Sequence, residues 1–256
     1  MISTEDVVLL EAEGVRAEVD PTGPRLRSLV FGGADYLAAG TASGARLFGA
    51  PDADAPLAEL VPERTRWRVV DHTAGTLTLG ARTDTAPIAP VTAVSVGSFG
   101  LVVVHGLTNT AAHPLAAGVR ARVHPFAGET PVLGLCGEPP EAADDLVGAD
   151  SAELPGRPVR EAGLQLAIGG GRPLPGKTHV VHRLRSGADR SGDGVRIWGE
   201  AEFAWTGARI ADGSVELELR TLPGDGGAAG RCVLEPGQTR MLCWGLQPFA
   251  LRGPLS

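Results

Sequence analysis

The chain has 256 residues, 43% hydrophobic and 21% charged, enough to bury one sizeable core. Its 30 Asp and Glu against 23 Lys and Arg give a formal net charge of −7, which argues against a duplex-binding surface. With 36 Gly and 20 Pro the chain favours turns and short strands, and no run approaches the ~18 apolar residues of a membrane helix.

The first six residues, Met-Ile-Ser-Thr-Glu-Asp, lack a basic stretch followed by an apolar run, so cytoplasmic residence is expected. Short apolar runs then recur at strand spacing. Val7 to Leu10 is the first, and Val15, Ala17 and Val19 alternate with polar residues in the second. Trp67 to Val70, Thr76 to Leu79, Val91 to Val96 and Leu101 to His105 follow, with residues 97–100 as the turn between the last two. Val195 to Trp198, Val215 to Leu219 and Met241 to Leu246 come later. In Val215-Glu-Leu-Glu-Leu-Arg220 the alternation is strict, so one face should be packed and the other wet. This rhythm predicts an all-β fold, an antiparallel sandwich or barrel, and the length fits one large β domain as easily as two small ones.

Residues 137–194 are the least regular. An acidic stretch at 138–145 and a Gly/Pro stretch at 169–176 read as loops, and 224–230 reads as a hairpin connection. Cys136, Cys232 and Cys243 are too widely spaced for a disulfide framework or Cys-rich metal site, and read as buried free thiols. His179 and His182 lie three apart in a strand-like stretch, which would put them on opposite faces and argues against a shared metal. There is neither a phosphate-binding Gly-rich loop nor a Gly-x-Ser-x-Gly elbow.

The most informative segment is Leu107-Thr-Asn-Thr-Ala-Ala-His-Pro-Leu-Ala-Ala-Gly-Val-Arg-Ala-Arg-Val-His-Pro-Phe126. It resembles the centre of the aldose 1-epimerase (galactose mutarotase) family, in which a Thr-Asn-Thr strand end and a turn precede a His-Pro-Tyr-Phe corner. Four further segments resemble the family in the same order. They are the 23–37 hairpin, the strand opening at Trp67, Glu200-Ala-Glu-Phe-Ala-Trp-Thr-Gly207, and Leu234-Glu-Pro-Gly-Gln-Thr. The resemblance implies a large antiparallel two-sheet β-sandwich, the galactose mutarotase-like supersandwich, formed by residues 1–256 as a single domain with its site on a concave sheet face. It also implies opening and reclosure of a cyclic hemiacetal by a general acid and a general base on opposite sides, with no metal or organic cofactor. The expected partner is a small molecule, a sugar or related hemiacetal, bound by a monomer or homodimer with no role for nucleic acid or membrane.

By this resemblance His124 is the general acid, and Phe126 follows it into the site. Alternation adds its own argument: Arg120, Arg122 and His124 share one strand face, which suits hydroxyls or an anionic substituent. Glu200 takes the place of the family's substrate-binding Asp, one methylene longer. The stretch 60–66 lacks the His that the family carries before its Trp strand. For the base two readings stand. Glu235, in the only C-terminal Glu-Pro pair, is the base on a shortened loop, or the base is gone and Glu235 is an exposed turn residue. Glu129 and Glu138 are substitute carboxylates. His72 and His105 read as ordinary sheet or turn residues, and His113 as an exposed turn residue. The leading reading is an aldose 1-epimerase-like isomerase. Rival readings are the same pocket repurposed for isomerisation or cyclisation of a non-sugar metabolite, and a non-catalytic carbohydrate-binding module.

Overall fold

The structure is a computed structural model, and it describes residues 7–37, 44–49, 66–82, 87–125, 132–136, 157–158, 165–168, 178–183, 192–200, 203, 205–211, 214–221 and 232–251. In chain order the strands are β1 (Val8–Ala12), β2 (Val15–Asp20), β3 (Arg25–Phe31), β4 (Ala34–Asp35), β5 (Ala45–Arg46), β6 (Arg66–His72) and β7 (Thr76–Arg82). They continue with β8 (Ile88–Gly97), β9 (Gly100–Asn109), β10 (Leu115–Ala117), β11 (Arg120–Val123), β12 (Val132–Cys136), β13 (Arg157–Pro158) and β14 (Gln165–Ile168). The last are β15 (Thr178–Arg183), β16 (Gly192–Gly199), β17 (Trp205–Ala211), β18 (Ser214–Arg220), β19 (Cys232–Leu234) and β20 (Thr239–Leu251).

One nine-stranded sheet runs β1-β2-β3-β5-β11-β18-β17-β14, with β4 on β3. The other runs β13-β12-β15-β16-β20-β9-β8-β7-β6, and β10 pairs with β19 apart from both. Every pairing is antiparallel, and the described residues contain no helix. This is the all-β two-sheet sandwich that the apolar alternation predicts. The apolar runs named above lie within strands except for Val7, which precedes β1, and the turn expected at 97–100 closes the β8–β9 hairpin.

Two expectations change. Residues 224–230 lie outside the described residues, and the strands before and after them are not partners, because β18 pairs with β11 and β17 whereas β19 pairs with β10. A Gly-rich stretch looks the same whether it joins paired or unpaired strands. The irregular region 137–194 also holds strands β13 to β15 and the start of β16, of which β14 and β15 coincide with the apolar runs Gln165–Ile168 and Thr178–Arg183. The acidic stretch at 138–145 lies outside the described residues.

Alternate residues of the central strands enter one core. Val94, Leu101, Val103, Leu107 and Leu246 come from one sheet and Leu10, Leu29, Ala121, Val123, Leu217 and Leu219 from the other. Tight turns set the first hairpins. Glu13 and Gly14 have φ of 50° and 80°, and Gly32 and Gly33 have 53° and 83°, the mirror-image geometry that matches strand twist. Glu13 is a non-Gly residue in the left-handed region, and its carboxylate accepts the Ser98 backbone N–H at 2.6 Å. That bond ties the β1–β2 turn to the β8–β9 turn.

The core contains one polar chain. Thr92, His105 and Trp244 are fully buried on the neighbouring strands β8, β9 and β20. Trp244 Nε1–H donates to His105 Nε2 at 2.9 Å, and His105 Nδ1 lies 3.0 Å from Thr92 Oγ1. An indole N–H can only donate, so Nε2 must be the bare nitrogen and the proton sits on Nδ1. Phe48 packs edge-on against the imidazole, with centroids 5.5 Å apart. Burial pushes the His105 pKa down to about 3, against partial support from the Leu47 backbone.

The neutral imidazole links stability to pH. The unfolded chain takes up a proton near pH 6.5, which the folded chain excludes down to about 3. The stabilisation is therefore complete above 6.5 and is lost as pH falls, by up to about 1.4 kcal/mol per pH unit. His124, also depressed, adds in the same direction. Urea midpoints measured from pH 6.5 to 5 should fall steadily. His105→Gln should flatten that slope, and a level wild-type profile would refute the assignment.

Candidate functional site

The two strands that build the candidate site face each other in register. In β11, Ala121 and Val123 are fully buried while Arg120 and Arg122 point the other way and stay half-exposed. In β18, Leu217 and Leu219 enter the core while Glu216, Glu218 and Arg220 take the opposite face. Arg122 is registered against Glu218 and Arg120 against Arg220. The Arg122 Nε–H donates to Glu218 Oε2 at 2.8 Å, and His124 Nε2 lies 3.3 Å from Glu216 Oε2. The His124 side chain keeps 26% of its surface exposed, so a ligand can still reach it.

Backbone contacts fix this strand on both sides. On one, the His124 N–H donates to the Gly44 carbonyl at 3.2 Å and the Arg120 N–H to the Gly49 carbonyl at 2.8 Å. On the other, Val119 exchanges backbone and hydroxyl bonds with Thr221. Gly44 has φ of 50°, and a Cβ there would overlap the Leu26 carbonyl oxygen, so glycine is required next to the histidine. An isolated bridge between Leu37 and Pro125 brings the end of the β3–β4 hairpin beside the His-Pro corner.

Burial and neighbouring charge together set the state of His124. Partial burial lowers its pKa most, Glu216 raises it, and the Arg122 and Arg46 guanidiniums lower it. The net direction is down, so the imidazole is mainly neutral at pH 7 unless something offsets the arginines.

The sequence-derived residues do not all gather here. Arg120, Arg122 and His124 share the face. Glu200 lies exposed in the bend after β16, its N–H on the Cys243 carbonyl and its carbonyl on the Phe203 N–H. Glu235 is exposed in the β19–β20 turn, where its N–H donates to Gln238 Oε1 at 2.8 Å. The pairing of Leu115 with Leu234 sets that turn at the start of β10, whereas His124 follows the end of β11. Phe126, Glu129 and Glu138 lie outside the described residues. His72 is an exposed strand residue, and His113 an exposed turn residue whose carbonyl accepts a bond from Asn109 Nδ2. Among the described residues no three His, Cys, Asp or Glu gather to hold a metal ion.

Sequence reasoning missed Glu216, Glu218 and Arg46. A signal for the first two existed. The alternation in Arg120-Ala-Arg-Val-His124 matches Glu216-Leu-Glu-Leu-Arg220, with largely opposite charge. Asn109 also gains a structural role. It is fully buried, its Nδ2 bonds the carbonyls of His113 and Leu234, and its backbone carbonyl accepts the Gly237 N–H. The Asn-Thr motif is thereby clamped to the Pro-Gly turn.

Neither protein-family models nor curated proteins match the sequence. Solved structures do match the fold. A candidate aldose 1-epimerase from Escherichia coli K12 is similar with a TM-score of 0.71 and 13% identity, over 96% of this chain and 99% of that one. A galactose mutarotase-like protein from Lactobacillus casei gives 0.66 and 14%, over 95% and 100%. Another from Clostridium acetobutylicum gives 0.62 and 11%, over 98% of each chain. At these identities the likeness shows the fold: the chain is folded as the sandwich of the aldose 1-epimerase and galactose mutarotase-like proteins.

The charge pattern makes opposite predictions for two variants. Glu216→Gln should lower the His124 pKa further, and Arg122→Gln should raise it. An NMR titration of the imidazole reads both, and shifts of the same sign would contradict the assigned environment.

Proposed function

We propose that the protein is an isomerase of the aldose 1-epimerase type, acting on a small cyclic hemiacetal at the face of β11 and β18. The supporting observation is the half-buried His124, held by the Gly44 carbonyl and Glu216 and followed by Pro125 as in the family's His-Pro corner. His124 serves as general acid to the ring oxygen, and its partner takes the proton of the anomeric hydroxyl. The ring opens, the aldehyde turns, and reclosure reverses both transfers. Arg120, Arg122 and Glu200 are proposed to bind substrate, with Phe126.

Two carboxylates compete for the role of base. Glu235 lies in the only C-terminal Glu-Pro pair, which is fused here to the closing Pro-Gly turn. Glu216 touches His124 directly, which suits holding the imidazole and supporting its proton better than acting across a sugar ring. Glu235 is therefore retained as the proposed base and Glu216 as the positioning carboxylate. The same 3.3 Å contact, with the depressed His124 pKa, is what favours the second reading, a non-catalytic carbohydrate-binding module.

Anomer exchange measured by NMR or polarimetry over a panel of aldoses and their derivatives decides between the readings. Acceleration that falls ~100- to 10,000-fold in His124→Ala supports the isomerase. Glu235→Gln should bring a comparable loss, whereas Glu216→Gln should mainly shift the pH profile. As an acid, His124 works only while protonated, so the rate should decline as pH rises through its depressed pKa. Binding of sugars without any exchange would establish the module instead.

A further inference from the structure

The outer face of the second sheet lies across the core from His124, and its centre is uncharged. In β8, β9 and β20 the buried Thr92, Val94, His105, Leu107, Leu242 and Trp244 turn inward, so the residues between them face out. On that outer face Met241 is registered against Gly106, Gly106 against Val91, and Val91 against Gly80 of β7. The next row is Cys243, Val104, Ala93 and Thr78. The described rows on either side add only Gly, Ala, Val, Ser and Thr from these four strands. Charge returns at the edge strand β6, where Arg68 is registered against Gly80.

Glycines keep this face flat, because longer side chains lie down across them. A Cβ at Gly106 would stand 3.3 Å from the Met241 sulfur, one at Gly80 3.0 Å from Val70, and one at Gly245 2.7 Å from the Trp198 indole. Met241 is nevertheless 59% exposed, Val70 56% and Val91 42%, so nothing in the chain covers them. Contiguous apolar surface beyond a few hundred Å² is rare on a monomer and marks a place of contact. From β6 to β16 the sheet is six strands wide. At ~4.8 Å per strand and ~6.7 Å per row, four rows make about 800 Å², the area that each partner gives to a standard stable interface.

We infer that this face is the interface of a homodimer, packed sheet against sheet across a two-fold axis. Charge singles out a second copy of the chain as the occupant. Each chain carries a net charge of −7 and repels its own copy, whereas the centre of this face presents no charge to it. A two-fold contact needs one patch that complements itself, and a flat apolar face does so without paired opposite charges. Two such faces pack at ~10 Å, the ordinary separation of stacked sheets. The candidate site stands on the opposite side of the sandwich and stays open in both copies, so the dimer does not depend on the proposed function.

Sedimentation velocity of the full chain tests this. At 26.3 kDa per subunit it should run as a dimer at ~100 µM and dissociate on dilution with a constant of about 10 µM or tighter. Raising salt from ~0.05 to ~0.5 M should tighten the dimer, because it screens the repulsion between two acidic copies. Val91→Arg puts an unpaired charge at the centre of the contact and should weaken association ~100-fold or more. Met241→Glu should do the same from β20. Leu9→Arg, at an exposed apolar position of the first sheet, should leave the dimer intact. Circular dichroism should show wild-type strand content in all three variants, since each side chain is exposed. One further measurement needs no variant: peroxide oxidation of the Met241 thioether should slow as the dimer forms. A wild-type chain that stays monomeric at ~100 µM would overturn the inference. So would a dimer that folded Val91→Arg and Met241→Glu both leave unchanged, or a Met241 oxidation rate equal in monomer and dimer.

Discussion

Each central strand must give every second residue to the space between two nine-stranded sheets, and the site follows from that constraint. In β11 the positions left over are Arg120 and Arg122, with His124 just beyond. In β18 they are Glu216, Glu218 and Arg220. A shift of one residue in either strand would drive these charges into the core and expose Ala121, Val123, Leu217 and Leu219. The hydrophobic effect thus fixes register, and register aligns the charges. The same apolar alternation that makes the fold also decides which polar groups meet.

Within that frame electrostatics adjusts rather than builds. Arg122 with Glu218 is a partly shielded pair worth little by itself. What holds β11 in place is backbone bonding to the 44–49 segment and to Thr221, on a floor of fully buried residues. The charged face therefore follows the fold and does not set it, because packing on the other side of the strand fixes the geometry.

Much of this is legible in the sequence. The strand runs, the 97–100 turn and the shared face of Arg120, Arg122 and His124 all follow from a period of two residues. The partners of that face do not, because pairing is long-range. Glu216 and Glu218 lie far along the chain, and no local pattern says that β18 rather than another strand lies beside β11. Strand β5 is too short to show a period at all, so Arg46 passed unnoticed. His105 reads as an ordinary sheet residue until the fold sets Thr92 and Trp244 against its two nitrogens, from 13 and 139 positions away. Glu235 shows the opposite limit. Its Glu-Pro-Gly context reads clearly as a turn, and the structure agrees, but turn chemistry does not say what the side chain serves.

The late position of β20 has a consequence for how the protein is made. Strand β20 lies between β9 and β16 and supplies Trp244 to His105. During synthesis β6 to β9 can form a meander as they emerge, but β9 then waits with one open edge while roughly half of the chain is still to come. That edge exposes hydrogen-bonding groups and the apolar side chains beside them, a template for pairing with another nascent chain. His105 meanwhile lacks its indole partner. The sheet closes only when the last described strand leaves the ribosome, so a chaperone that shields the β9 edge on the growing chain would act at the step where misassembly is easiest.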